Sequence, residues 1–98
     1  MIKYSIKYNN DIIVNVSGHA DYSEKGTDIV CASVSSMLTM CVNLIDNLGY
    51  KFNNVKLESG TTTFNVASNE VTKGIVTTLE ELLDSLSKKY PENIKRII

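Results

Sequence analysis

The sequence predicts an α+β fold, a mostly antiparallel sheet with two helices packed on one face, in the order ββαββαβ. Three observations predict it. Four short segments alternate apolar and polar residues, and they fall into two pairs, each joined by a tight turn. Two longer segments instead repeat apolar residues at steps of three and four, between capping residues. The chain has 98 residues, 43% hydrophobic and 21% charged, which suits one globular domain over 1–98.

Taken in order, Ile2, Tyr4, Ile6 and Tyr8 alternate with Lys3, Ser5 and Lys7, the pattern of a half-buried strand. Asn9-Asn10-Asp11 forms a turn, because Asn and Asp tolerate left-handed backbone. Ile12, Val14 and Val16 then form the second arm of an antiparallel hairpin. Gly18-His19-Ala20 leads into a polar loop, Asp21 to Thr27, the one longish loop in the chain. A helix is predicted from Asp28 to Leu48, with Val30, Val34, Met37, Cys41, Leu44 and Leu48 on its apolar stripe. Thr27 or Asp28 caps it, and Gly49 takes the left-handed position after it. Ala32, Ser33, Ser35 and Ser36 keep its first turns slim.

Tyr50 to Leu57 and Thr61 to Val66 read as a second hairpin across Ser59-Gly60. Val55 and Leu57 are out of phase with Tyr50 and Phe52, and a bulge at Asn53-Asn54 restores the phase. Ser68 or Asn69 caps a second helix with Val71, Ile75, Leu79, Leu82 and Leu86 on its stripe, and Tyr90-Pro91 stops it. Ile94 to Ile98 supplies one closing strand.

Composition excludes several classes. Ten Lys+Arg against 11 Asp+Glu leave a formal charge of −1, without the electrostatic footprint of a general nucleic-acid binder. Direct nucleic-acid binding is therefore not expected. Lys88, Lys89, Lys95 and Arg96 form a modest basic end that either complements a helix dipole or touches an anionic partner. No apolar run approaches the roughly 20 residues that span a bilayer, so no membrane association is expected. The first residues are not a signal peptide, and two thiols without export point to a cytoplasmic protein. One His and two Cys fall short of a closed zinc site, the glycines form no phosphate-binding pattern, and no metal or cofactor is implied.

The reactive inventory is thus His19, Cys31 and Cys41. Cys31 falls about three positions into the first helix, where unpaired N–H groups favour a thiolate. An ordinary thiol has a pKa near 8.5, and holding one near ~6 takes about 3.4 kcal/mol. A helix terminus supplies about 0.3–1 kcal/mol, up to ~2 when partly buried. A reactive Cys31 therefore needs an imidazolium partner, and His19, twelve residues earlier, is the one available. Residue types and spacing leave the plainer reading open as well, with Cys31 a small packed hydrophobe and His19 a turn residue. Cys41 sits on the helical stripe and reads as core. A Cys31–Cys41 disulfide is excluded, since ten helical residues separate the two by about 15 Å. Asp28 either caps the helix or orients His19.

The stretch GHADYSEKGTDIVCASVS, Gly18 to Ser35, closely resembles the ribosomal-processing cysteine protease (Prp) family. Gly18, His19, Ala20, Tyr22, Gly26, Asp28, Ile29, Val30, Cys31, Ala32, Val34 and Ser35 occupy the family pattern. Ser33 and Asp21 depart from it without touching either reactive position, and Tyr90-Pro91 continues the likeness toward the C-terminus. The resemblance implies a Prp-type endopeptidase domain over 1–98 that removes an N-terminal extension from the twenty-seventh large-subunit ribosomal protein. Carried onto this chain, it makes Cys31 the nucleophile and His19 the base, with Asp28 and Ser35 in support. It also implies a homodimer and a flexible loop over the site, containing Asp21, Tyr22 and Gly26. Main-chain N–H groups of Cys31 and Ala32 at the helix start are the expected oxyanion donors. The competing expectations are a non-catalytic, ribosome-associated module with a structural Cys31, or a thiol redox sensor, which lacks a resolving cysteine within reach.

Overall fold

The computed structural model describes residues 1–98. Strands β1 (Ile2–Tyr8) and β2 (Asp11–Ser17) form the first hairpin, helix α1 spans Ile29–Asn47, and β3 (Phe52–Glu58) and β4 (Thr61–Ala67) form the second hairpin. Helix α2 (Glu70–Lys89) and the short strand β5 (Ile94–Arg96) complete the order ββαββαβ. The sheet runs β3-β4-β2-β1-β5; three of its four pairings are antiparallel, and β5 lies parallel to β1. The expected bulge is present, because the β3–β4 register shifts between Phe52 and Asn54. It places Phe52, Val55 and Leu57 opposite Val66, Phe64 and Thr62 on one face.

Both helices cover that same face. Tyr4 on β1 reaches α2, donating from Oη to Asp84 Oδ1 at 2.6 Å. Its cross-strand partner Val16 lies beside Val34 of α1. Ile12, Val14, Phe64, Val66, Val30, Ile45, Val76 and Leu83 fill the space between, each fully buried. Burial of that kind stabilises by about 1.5–3 kcal/mol per large apolar side chain. Arg96 on β5 bonds Glu80 at 2.6 Å and Asp84 at 3.3 Å, so Tyr4, Asp84 and Arg96 clamp α2 and β5 to β1. Burial, followed by the Asp84 carboxylate, pushes the Tyr4 phenol up to about 12, so its proton stays in the clamp.

Both helical stripes differ from the sequence expectation. In α1 the buried face is Val30, Val34, Leu38, Cys41, Val42 and Ile45, while Leu44 and Leu48 are exposed and Met37 is half-buried. In α2 it is Thr72, Val76, Leu79 and Leu83; Val71 and Leu82 are exposed, and Ile75 and Leu86 are half-buried. Each helix is apolar over more than one face, so two stripes compete; in α1 the sheet takes the one richer in β-branched residues, while in α2 the two are equal in them. Thr72 fits a core position because its hydroxyl donates to Ala67 O at 2.8 Å and accepts the Asn69 N–H at 3.0 Å. That completes a capping box at Asn69.

A further correction concerns hydropathy. Helix α1 has 19 residues and a mean hydropathy of 1.6, enough by length and composition alone to cross a membrane. Interspersed Ser, Thr and Asn residues break the apolar run in the sequence, yet the mean stays high enough to pass. Here its apolar side is spent on the core shared with the sheet.

The assignment of the buried stripe is testable at the C-terminal end of α1. Ile45→Ala is expected to cost about 2–5 kcal/mol and Leu48→Ala less than about 1 kcal/mol, measured by urea unfolding. Equal losses at the two positions would contradict the observed rotation of the helix.

Candidate active site

The site begins where β2 ends. Gly18 has φ +98, and a Cβ there would lie 2.2 Å from the Met1 carbonyl oxygen, so only glycine passes this point. Its N–H donates to Gly60 O at 2.9 Å, tying the exit of β2 to the β3–β4 turn. His19 follows with its ring exposed, lying over Gly60. Ala20 is buried, and its N–H points at Cys31 Sγ at 3.2 Å while its carbonyl accepts Asn93 Nδ2–H at 3.0 Å. Asp21 then takes the left-handed conformation (φ 54) and turns the chain into the loop.

Asp28 ends the loop and starts α1. One carboxylate oxygen accepts the N–H groups of Val30 and Cys31, both at 3.0 Å. The other accepts those of Tyr22 at 2.9 Å and Ser23 at 3.3 Å. Burial by itself drives this carboxyl up, but the four main-chain donors outweigh it and hold Asp28 below the usual carboxylate range. Between the two sequence alternatives, Asp28 is therefore the cap, and it also anchors the loop; both its oxygens face main-chain donors, not His19.

Cys31 is the third residue of α1 and is half-buried. Its sulfur and the His19 ring line one cleft of about 720 Å³, together with Ala32, Ser35 and the turn Ser59-Gly60. That size suits a short length of peptide. His19 and Cys31 share the cleft without a direct hydrogen bond, an arrangement common in ligand-free sites that tighten on binding substrate. Asp21 and Gly26 also line the cleft, whereas Tyr22 turns outward and packs edge-on against Tyr90, ring centroids 5.3 Å apart.

One expectation is corrected. The Cys31 N–H is engaged by the Asp28 side chain, and the Ala32 N–H donates to Asp28 O at 3.0 Å, so neither is a free donor. A helix whose cap is satisfied has spent these groups. The main-chain N–H directed at the sulfur is that of Ala20. Sequence reading also missed Asn93 and Gly60. No local signal marks Asn93, which reaches Ala20 across 73 positions, and Gly60 reads only as a turn residue. Cys41 is core, as expected, and burial pushes its thiol up to about 11.

An α+β scaffold that sets one thiol at a helix start and one imidazole in the same cleft holds the parts a cysteine peptidase uses. The chain belongs to the cysteine protease Prp family, whose model matches residues 1–95. The ribosomal processing cysteine proteases Prp of two Staphylococcus aureus strains are 33% identical to it over 89 residues, covering 87% of this chain and 82% of theirs. A crystal structure of the S. aureus protease with a covalently linked product peptide matches with a TM-score of 0.89 at 30% identity, covering 98% of this chain and 97% of that one. The same protease with a substrate peptide matches at 0.75, with the same identity and coverage. A Streptococcus mutans protein, 22% identical and covering 98% and 91%, shares the fold with a TM-score of 0.73.

The anchoring role of Asp28 sets a pH dependence. A carboxyl held below its ordinary value of about 3.9 contributes stability that is fully present above that value and lost progressively as the pH falls from there through the lowered folded-state value. Asp28→Ala is expected to cost about 1–2 kcal/mol at pH 7, and the gap from wild type should narrow as the pH is lowered toward 3. Thermal unfolding across that range measures both, and a gap independent of pH would remove the charge from the account.

Proposed function

We propose that this chain is the endopeptidase that removes the N-terminal extension of the twenty-seventh large-subunit ribosomal protein in the cytoplasm, with Cys31 as nucleophile and His19 as general base and acid. The observation that carries the reading is the shared cleft. In a chain of this family, its one histidine and its half-buried helix-start thiol open onto the same peptide-sized space. The S. aureus relative has been solved with a covalently linked product peptide, which is the outcome nucleophilic peptidase chemistry predicts.

Each step follows from that placement. His19 takes the proton of Cys31 Sγ, and the sulfur attacks the scissile carbonyl carbon. The resulting oxyanion forms beside the Ala20 N–H, which already faces the sulfur. His19 returns the proton to the departing amine, the C–N bond breaks, and a thioester remains on Cys31. Water, deprotonated by His19, then releases the acid. Ser35 contributes to the wall of the cleft, and the loop Asp21–Thr27 closes over the peptide to exclude water.

The proposed enzyme is a homodimer. Met37, Met40, Leu44, Val71, Ile75 and Leu82, the apolar residues the sheet leaves uncovered, line a groove of about 620 Å³ between α1 and α2. A second copy of the same groove is the occupant that buries it.

Three measurements decide between outcomes. Cys31→Ala and His19→Ala should each abolish cleavage of the extended ribosomal protein without unfolding the chain, while Cys41→Ala stays near wild type; iodoacetamide at pH 7 should modify Cys31 well before Cys41. Cleavage by Cys31→Ala at the normal rate would end this reading. In sedimentation, Met40→Asp with Leu44→Asp should turn a dimer into a monomer, and a wild-type chain that sediments as a monomer would end the dimer proposal.

A further inference from the structure

The turn that faces His19 holds more than a change of chain direction. Gly60 has φ +77, and a Cβ built on it would stand 2.9 Å from His19 Nε2 and 3.2 Å from Cε1. Gly26, Gly49 and Gly74 differ, since a Cβ on any of them would meet nothing within 4 Å. The seat is also fixed in height. The β2–β4 ladder runs to Ser17 opposite Thr61, and the Gly60 carbonyl accepts the Gly18 N–H at 2.9 Å, next to His19 itself. His19 is an exposed residue and its ring makes no hydrogen bond that would hold it elsewhere.

We infer that Gly60 is a positioning residue for His19, its missing side chain being the seat on which the imidazole lies within reach of Cys31. This rests on the reading of His19 as general base. Gly60 is glycine for two separable reasons. Its backbone is left-handed, a conformation Asn tolerates, and the space its side chain would need is filled by the ring, which Asn does not solve. A Cβ here lifts the imidazole off its seat, and misplacement of a catalytic group by about 1 Å can cost on the order of 100-fold in rate.

The test compares Gly60→Ala, Gly60→Asn, Gly49→Ala and His19→Ala on a synthetic peptide spanning the N-terminal segment of the ribosomal protein precursor. Gly49, at φ +90 with open space around it, controls for backbone strain alone. Both Gly60 variants should lose at least about tenfold in kcat with KM within about twofold of wild type, while Gly49→Ala keeps its kcat. Because the chain has one histidine, its ring resonances are unambiguous by NMR. The wild type should show a nuclear Overhauser contact between the His19 ring and the Gly60 α-protons, and both Gly60 variants should shift the ring signals. Unmoved ring signals, or a Gly60→Asn enzyme with normal kcat, would overturn the inference, as would a loss confined to KM. Normal cleavage by His19→Ala would instead overturn the general-base reading, and the NMR arm would still decide whether Gly60 seats the ring.

Discussion

A carboxylate buried at the start of α1, each of its oxygens accepting two main-chain N–H groups, ties the start of that helix to the loop that leads into it. One pair of donors belongs to the first turn of the helix that carries Cys31, the other to the loop that follows His19. Helix caps are usually worth about 1 kcal/mol because they satisfy one or two orphan donors. Asp28 satisfies two in the helix and two in the loop, so loss of its side chain would free both the start of the Cys31 helix and the loop that follows His19. Placing a negative charge beside a thiol looks counterproductive, since it opposes a second negative charge on sulfur. Four surrounding N–H dipoles answer much of that objection, because they neutralise the carboxylate locally and leave the cleft to the imidazole and the Ala20 N–H.

The same economy explains why the helix start cannot itself supply the oxyanion donors. An N-terminus has a limited stock of free N–H groups, and here those of Val30, Cys31 and Ala32 all point at Asp28, by side chain or carbonyl. The structure draws its remaining donor from the other side of the cleft, at Ala20, whose peptide is held in orientation from behind by Asn93. In the proposed mechanism the electrostatic part of catalysis depends on a peptide plane fixed by the C-terminal segment, and only indirectly on the helix dipole.

Much of this was legible in the residues. Alternation gave the strands, and the phase break between Phe52 and Val55 gave the bulge, because side-chain period along a strand leaves no other way to bring both to one face. Residue types and spacing left a His19–Cys31 partnership open beside the plainer reading and the family resemblance favoured it; the structure sets both residues on one cleft. Helix rotation was not legible, since α1 and α2 each offer two apolar stripes and only packing against the sheet chooses between them. A residue such as Thr72 hides its core position behind a hydroxyl whose partners appear only in three dimensions. Asn93 and Gly60 were invisible for a related reason: their roles lie in what stands opposite them, and each faces the His19–Ala20 segment from a part of the chain far away in sequence.

That distance has a consequence for when the site exists. Asn93 reaches Ala20 because β5 pairs with β1, setting Ile94 beside Ile2, and that pairing comes last along the chain and joins residues about as far apart as the chain permits. Contacts of such separation carry the largest loop-closure cost and form late in folding. The pairing itself spans three residues, and it is reinforced by the Tyr4–Asp84–Arg96 clamp and by Tyr90 against Tyr22. A hairpin plus α1 places His19 and Cys31 on one side of the sheet, but until the segment after α2 docks, the Ala20 peptide lacks the Asn93 support from behind. The back of the cleft therefore matures only with the C-terminal segment, which couples the proposed chemistry at Cys31 to completion of the whole sheet.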